Sequence, residues 1–271
     1  MRVVLFVLLG AAAALSAQSP AAKFDSGRAW EHLRQLVALG PRPAGSPALE
    51  QARQYIKAQI GAAGVTVAEQ AWDDRTPVGT VKMVNLIATI PGARKDRIVV
   101  AGHYDTKLFR QFRFVGANDG GSSAAFLIEL ARVLKGHKGL LTIELLFLDG
   151  EEAFNPEWAG TDNTYGSRHY VDVANRTGSL ATLKAMVLVD MIADRDLRIR
   201  REGNSTRWLA DLVWAVAKSQ KLESYFIPEM TGPIEDDHVP FLRAGVPAVD
   251  IIDLEYDAWH TPNDTLDAVS A

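Results

Sequence analysis

The chain has no cysteine in its 271 residues. That absence removes disulfides, thiolate nucleophiles and thiolate zinc sites together. Any metal must therefore be held by His, Asp or Glu, and there are only six histidines. Positive charge is in slight deficit, 29 Lys and Arg against 33 Asp and Glu, for a formal net charge of −4. That balance argues against nucleic acid and against anionic membrane as partners. Internal repeats, low-complexity tracts and long blocks of one charge are also missing, so nothing in the composition divides the chain.

A bilayer-spanning apolar run of about 20 residues is lacking too. The opening "MRVVLFVLLGAAAALSAQSPAA" has Arg2, a shorter apolar run and then small residues. This is the pattern of a secretory signal peptide, residues 1–17, cleaved near Ala17. It predicts a secreted or periplasmic protein with no stable membrane insertion after cleavage. From residue 23 to residue 271 the sequence reads as one domain, and a monomer is expected.

Apolar runs rich in Val, Ile and Leu recur after two helical stretches, "SGRAWEHLRQLVALG" and "SPALEQARQYIKAQIGAAG". Six runs read as strands: "VTVAEQAW", "VKMVNLIATI", "RIVVAGHYD", "LLTIELLFLD", "LKAMVLVDMI" and "PAVDIID". Helical periodicity returns in "GGSSAAFLIELARVLKG" and in "NSTRWLADLVWAVAKSQK", whose tryptophans Trp208 and Trp214 are expected in the core. Strands alternating with helices predict an α/β fold, a three-layer α/β/α sandwich with a mixed, largely parallel central sheet.

Ionisable residues gather where these runs end. "RIVVAGHYD" ends in His103 and Asp105, "LLTIELLFLD" leads into Asp149, Glu151 and Glu152, and "LKAMVLVD" ends in Asp190. Carboxyl ends of parallel strands share one edge of an open sheet, where ligands bind. That edge would unite Asp119, Glu152 and His260, two carboxylates and an imidazole, a three-ligand set for zinc with an open fourth position. Taken singly, each has a plain reading: Asp119 a turn former, His260 a loop residue, the glutamates solvated. Their joint placement favours a site, with Glu152 on the metal and Glu151 as a general acid/base.

The blocks "AGHYDTK", "FVGANDGG", "FLDGEEAF", "YGSRHY", "LVDMI", "IEDDHVPFLRAGVP" and "WHTPND", in this order, resemble the animal-type glutaminyl cyclases, which share the zinc aminopeptidase-like fold of the M28 type. The resemblance implies one zinc per chain, bound by Asp119, Glu152 and His260. It implies Glu151 as the proton-transfer residue, Asp190 and Asp236 as its hydrogen-bonded support, and Trp259 as a pocket wall. The implied substrate is a peptide or protein N-terminus bearing Gln, closed to pyroglutamate with loss of ammonia. A cis peptide after Asp119 is also implied, and the fold of that family usually runs on past "DTLDAVSA" into a last helix, which is here either absent or cut off.

The alternative is a di-zinc M28 aminopeptidase, which would add His103 and Asp190 as ligands, make Asp119 a bridge, and use Glu151 to activate water. The sequence departs from the animal pattern at "NPEW", where Trp158 stands one residue out of register. It departs again at Glu235, where those enzymes often carry an uncharged side chain. Both residues are expected at the substrate. His169 and His238 are expected to be structural, His238 as support for the Asp236–Asp237 loop.

Overall fold

The computed structural model describes residues 22–271; the expected signal peptide lies outside the described residues. Helix α1 (Ser26–Ala38) starts where the Asp25 side chain accepts the backbone N–H groups of Gly27 and Arg28. Helix α2 (Pro47–Ala62) starts the same way at Ser46, with proline in its first turn. Both caps answer N–H groups that have no partner within the helix. Strands β1 (Thr66–Thr76) and β2 (Gly79–Ile90) then form an antiparallel hairpin.

The remaining elements follow as β3 (Arg97–His103), α3 (Gly121–Leu134), β4 (Thr142–Leu148), α4 (Tyr165–Arg176) and β5 (Leu183–Asp190). After these come β6 (Ile199–Arg201), α5 (Arg207–Ser219), β7 (Phe226–Met230), α6 (His238–Arg243) and β8 (Ala248–Ile252). The main sheet has the order β1-β2-β4-β3-β5-β8. Strands β4, β3, β5 and β8 are mutually parallel, and the β1–β2 hairpin joins antiparallel through β2. The sheet is thus mixed and largely parallel, as expected.

Alternation along the strands explains why they read as continuous apolar runs. On β4, Leu145 and Phe147 pack with Leu49, Ile56 and Leu127 of α2 and α3. Leu146 and Leu148 point the other way, to Tyr170 of α4 and Phe241 of α6. Val249 of β8 meets Leu209 and Ala210 of α5. With both faces covered, the central strands lose the polar alternation of a half-exposed sheet, while the edge strand β1 has no buried position.

Two features differ from the sequence reading. Helices α4 and α6 and the small parallel β6–β7 pair were not foreseen. In α5, Trp214 is buried as expected, but Trp208 is 53% exposed, with Leu212 and Val216 exposed on the same face. The stripe is therefore divided between core and surface.

Strand order decides where the edge opens. From β3 the chain crosses to β4 on one side, then jumps back over β3 to β5 on the other. This reversal is the switch point at which α/β sheets leave a crevice. His103 and Asp190 end the two strands that flank it. The long β3–α3 connection lies over the crevice and is held from beneath by Arg42, which is wholly buried. Its guanidinium donates to the carbonyls of Leu36 (3.3 Å), Gly40 (3.1 Å), Val115 (2.8 Å) and Gly116 (3.2 Å).

Arg42→Met should leave these carbonyls unanswered in the interior and cost about 3 kcal/mol of stability. Thermal unfolding followed by circular dichroism should show a loss of about 10 °C in Tm. Arg42→Lys should not restore it, because one ammonium cannot span carbonyls that a planar fork reaches.

Candidate active site

Asp119 is the centre of the cluster. Its Oδ1 lies 3.1 Å from His103 Nε2, and its Oδ2 lies 3.3 Å from His260 Nε2. His260 Nε2 is also 3.1 Å from Glu152 Oε1, and His103 Nε2 is 3.3 Å from Asp190 Oδ1. Two groups of three potential ligands result, Asp119–Glu152–His260 and His103–Asp119–Asp190, and Asp119 belongs to both. A buried polar atom without a partner points to a missing one. Asp119 Oδ2, Glu152 Oε2 and His103 Nε2 have no hydrogen-bond partner. Carboxylate oxygens and an imidazole nitrogen left open within these two groups suit zinc, so the residues present fit the metal.

Each of these side chains is held by its backbone. The N–H groups of Asn118 and Asp119 donate to the two oxygens of Asp264 at 2.8 and 3.2 Å, and Tyr256 donates its hydroxyl to Asp264 Oδ1 at 2.7 Å. Gly120 follows with φ of +74°, and a Cβ there would lie 2.3 Å from the Asp105 carbonyl oxygen. Only glycine fits. No peptide bond among the described residues is cis, so the cis bond expected after Asp119 is not found; the left-handed Gly120 makes the turn instead.

Asp105 does more than orient His103, whose Nδ1 is 3.4 Å away. It also accepts the N–H groups of Glu151 and Glu152 at 3.2 and 3.4 Å. Lys107 lies behind Glu152, 3.6 Å from Oε2, and donates to the Ala153 carbonyl at 3.0 Å. His260 has φ of +54°, a left-handed conformation that costs a non-glycine residue about 1 kcal/mol or more. Trp259 stacks on its ring at 4.4 Å, and Phe109 and Phe114 meet it edge-on.

Above the cluster opens a cavity of about 500 Å³. The nine residues assigned to the cyclase site in the sequence line it, Asp119, Glu151, Glu152, Trp158, Asp190, Glu235, Asp236, Trp259 and His260, whereas His103 lies beneath it. Trp259 is 47% exposed, forming an outer wall. Glu151 is buried beside Glu152, and its Oε2 lies 3.7 Å from His103 Nδ1. Burial pushes the Glu151 carboxyl well above its ordinary range; His103 opposes the rise, and Glu152 and Asp236 add to it. Asp236 is raised to about 7, first by burial and then by Asp190. Asp119 moves the opposite way despite its burial, because both histidines favour its charged form.

Arg42, Lys107 and Asp264 were not assigned roles from the sequence. "GPRPAGSP" places an arginine between prolines, which was the available signal for Arg42. Asp264 lay within "WHTPND" without a role. His238 is fully buried, with Nε2 3.1 Å from Glu202 and Nδ1 3.6 Å from Asp250, so it braces other segments besides its own loop. His169 stacks flat on Trp72 at 4.1 Å, away from the cavity.

Asp264→Asn would turn an amide NH2 toward backbone N–H groups and loosen Asp119. Metal affinity should fall about 10- to 100-fold, as such supporting changes do. Competition with a chelator would measure it.

Comparison with known proteins places this geometry in a family. Residues 85–271 match the model of peptidase family M28. A glutaminyl-peptide cyclotransferase-like protein of Mus musculus is 34% identical over 274 residues, covering 90% of this chain and 70% of that protein. The crystal structure of a glutaminyl cyclase from an Acidobacteriales bacterium superposes with a TM-score of 0.87 at 40% identity, covering 94% of this chain and 91% of that one. A leucine aminopeptidase precursor from Bacteroides thetaiotaomicron superposes with a TM-score of 0.83 at 26% identity, with 92% of both chains covered. With the site's carboxylates and histidines set on this frame, the chain belongs to peptidase family M28 and, within it, to the group of the glutaminyl-peptide cyclotransferases.

Proposed function

We propose that the cavity takes the N-terminal glutamine of a peptide and closes it to pyroglutamate, releasing ammonia, with one zinc held by Asp119, Glu152 and His260. The observation that carries this reading is the buried Glu151 beside that ligand set, in a cavity lined by no serine, threonine, cysteine or lysine. The cavity lining thus offers no hydroxyl, thiol or lysine amine as nucleophile, and the substrate's own α-amine fills that role. A bound zinc supplies Lewis acidity toward the γ-carboxamide.

Glu151 accepts the proton that the α-amine loses as its nitrogen bonds to the γ-carboxamide carbon. It then returns that proton to the nitrogen leaving as ammonia. A carboxyl raised by burial, with the Glu152 and Asp236 charges adding to the rise, both takes and gives a proton more readily near neutral pH. Asp190 and Asp236 supply negative charge around it. Trp259 and Trp158 wall the space above, holding the side chain curled toward its own amine, which contributes proximity. The apolar wall and surrounding carboxylates favour a neutral carboxamide over the carboxylate of glutamate. The leader-like opening of the sequence supports secretion or export to the periplasm, and no helix among the described residues is long and apolar enough to cross a membrane.

The His103–Asp119–Asp190 group favours a second reading, a di-zinc aminopeptidase in which Glu151 activates water. The curated cyclotransferase relatives weigh against it. Incubation of the purified protein with a Gln-peptide and a Leu-peptide separates the two. Cyclisation releases ammonia and leaves every peptide bond intact, whereas hydrolysis frees an amino acid. Zinc content on the same sample should be one per chain.

Glu151→Gln should lower turnover by about 10²- to 10⁴-fold, the range for loss of a general acid/base, while zinc content stays at the wild-type level. Glu152→Ala should lose the metal itself. Full turnover in Glu151→Gln would remove the proton-transfer role.

A further inference from the structure

The cavity is larger than one glutamine residue requires, and its mouth has a distinct character. Glu157 and Glu235 stand there, both exposed. No lysine or arginine lines the cavity to answer them. Arg243 reaches Glu235 at 3.1 Å from outside the cavity, so Glu157 is the acid left open. Between them the wall is apolar, with Ile234, Leu254 and Trp158.

Two residues lining the cavity also carry buried polar groups without partners. Asp236 is 3% exposed and its Oδ2 has no hydrogen-bond partner. The indole N–H of Trp158 is buried and equally unanswered. A buried donor with no acceptor in the protein is available to a ligand's carbonyl.

From these observations we propose that the enzyme selects peptides in which a basic residue follows the N-terminal glutamine. The aliphatic stem of Lys or Arg lies along Ile234, Leu254 and Trp158, and its cationic head reaches the carboxylates of the mouth. The Trp158 N–H donates to a backbone carbonyl of the bound peptide. A concave wall carrying one sign of charge concentrates the opposite sign in its mouth. An acidic residue at the second position is repelled by the same field. This selectivity rests on the cyclase reading and adds to it which N-termini are taken.

The test compares Gln-Lys, Gln-Ala and Gln-Glu peptide amides of equal length by kcat/KM. The expected order is Lys, Ala, Glu, with Lys ahead of Glu by about tenfold at low ionic strength, the lower end of steering by a charged cleft. The difference should lie mainly in KM and shrink toward one near 1 M salt, where screening acts over about 3 Å. Glu157→Gln should lower the Lys-to-Glu ratio, and Glu157→Lys should invert it. Because the ratio is taken within each variant, partial loss of folded protein cancels.

Equal rates for the Lys and Glu peptides at low salt would overturn the inference, and so would a ratio indifferent to Glu157. If Gln-Ala is cyclised while these ratios stay at one, only the selectivity falls. If Gln-Ala is not cyclised, the cyclase reading falls and takes the selectivity with it.

Discussion

Mutual repulsion of buried carboxylates is the constraint around which this molecule is arranged. Asp105, Asp119, Glu151, Glu152, Asp190 and Asp236 are all buried at one edge of the sheet. In a low-dielectric interior such charges stay only where something answers them. His103 answers most, with Asp105, Asp119, Glu151 and Asp190 all within 3.7 Å of its two nitrogens. His260 and Lys107 answer Glu152 from two sides. Backbone N–H groups answer Asp105 and Asp264. The adjacent glutamates after β4 are tolerable because they do not share one environment. Burial raises both carboxyls, but Glu152 has His260 and Lys107 opposing the rise and lies with the ligand set, while Glu151 is raised well above its ordinary range with His103 opposing.

The fold could largely be read from the sequence, for a simple reason. Strands covered on both faces are apolar along most of their length, and the four parallel strands stood out as such runs. The site was legible through the same elements, since the acids and His103 sit where the runs stop. Helices α4 and α6 were not, because "YGSRHYVDVANR" is polar with a narrow buried face and "HVPFLR" has a proline inside six residues. Arg42 escaped notice because its partners are backbone carbonyls, which leave no mark in a sequence. Resemblance pointed to a cis bond after Asp119, but the backbone freedom of Gly120 made one unnecessary. Trp208 was assigned to the core as part of one apolar stripe, although α5 buries only one side.

The position of Asp119 explains how one architecture accommodates relatives named for two reactions. A single carboxylate faces both histidines, so both ligand groups are present before any metal count is specified. The departures at Trp158 and Glu235 fall on the cavity wall and leave the ligand cluster unchanged. Sequence change at the mouth can thus alter the choice of peptide while the chemistry below is kept.

The loop bearing Asp119 is tied down by a guanidinium whose listeners are all amide carbonyls. Dissolved ions screen pairs of charges that water can reach, but they do not enter a sealed contact between a cation and peptide dipoles. Carbonyls do not titrate, and an arginine at about 10 stays charged in neutral surroundings. The arginine's hold on this loop is therefore insulated from brine and from mild acid alike, whereas the second hold, the Asp264 carboxylate that burial raises to about 6, answers to acid.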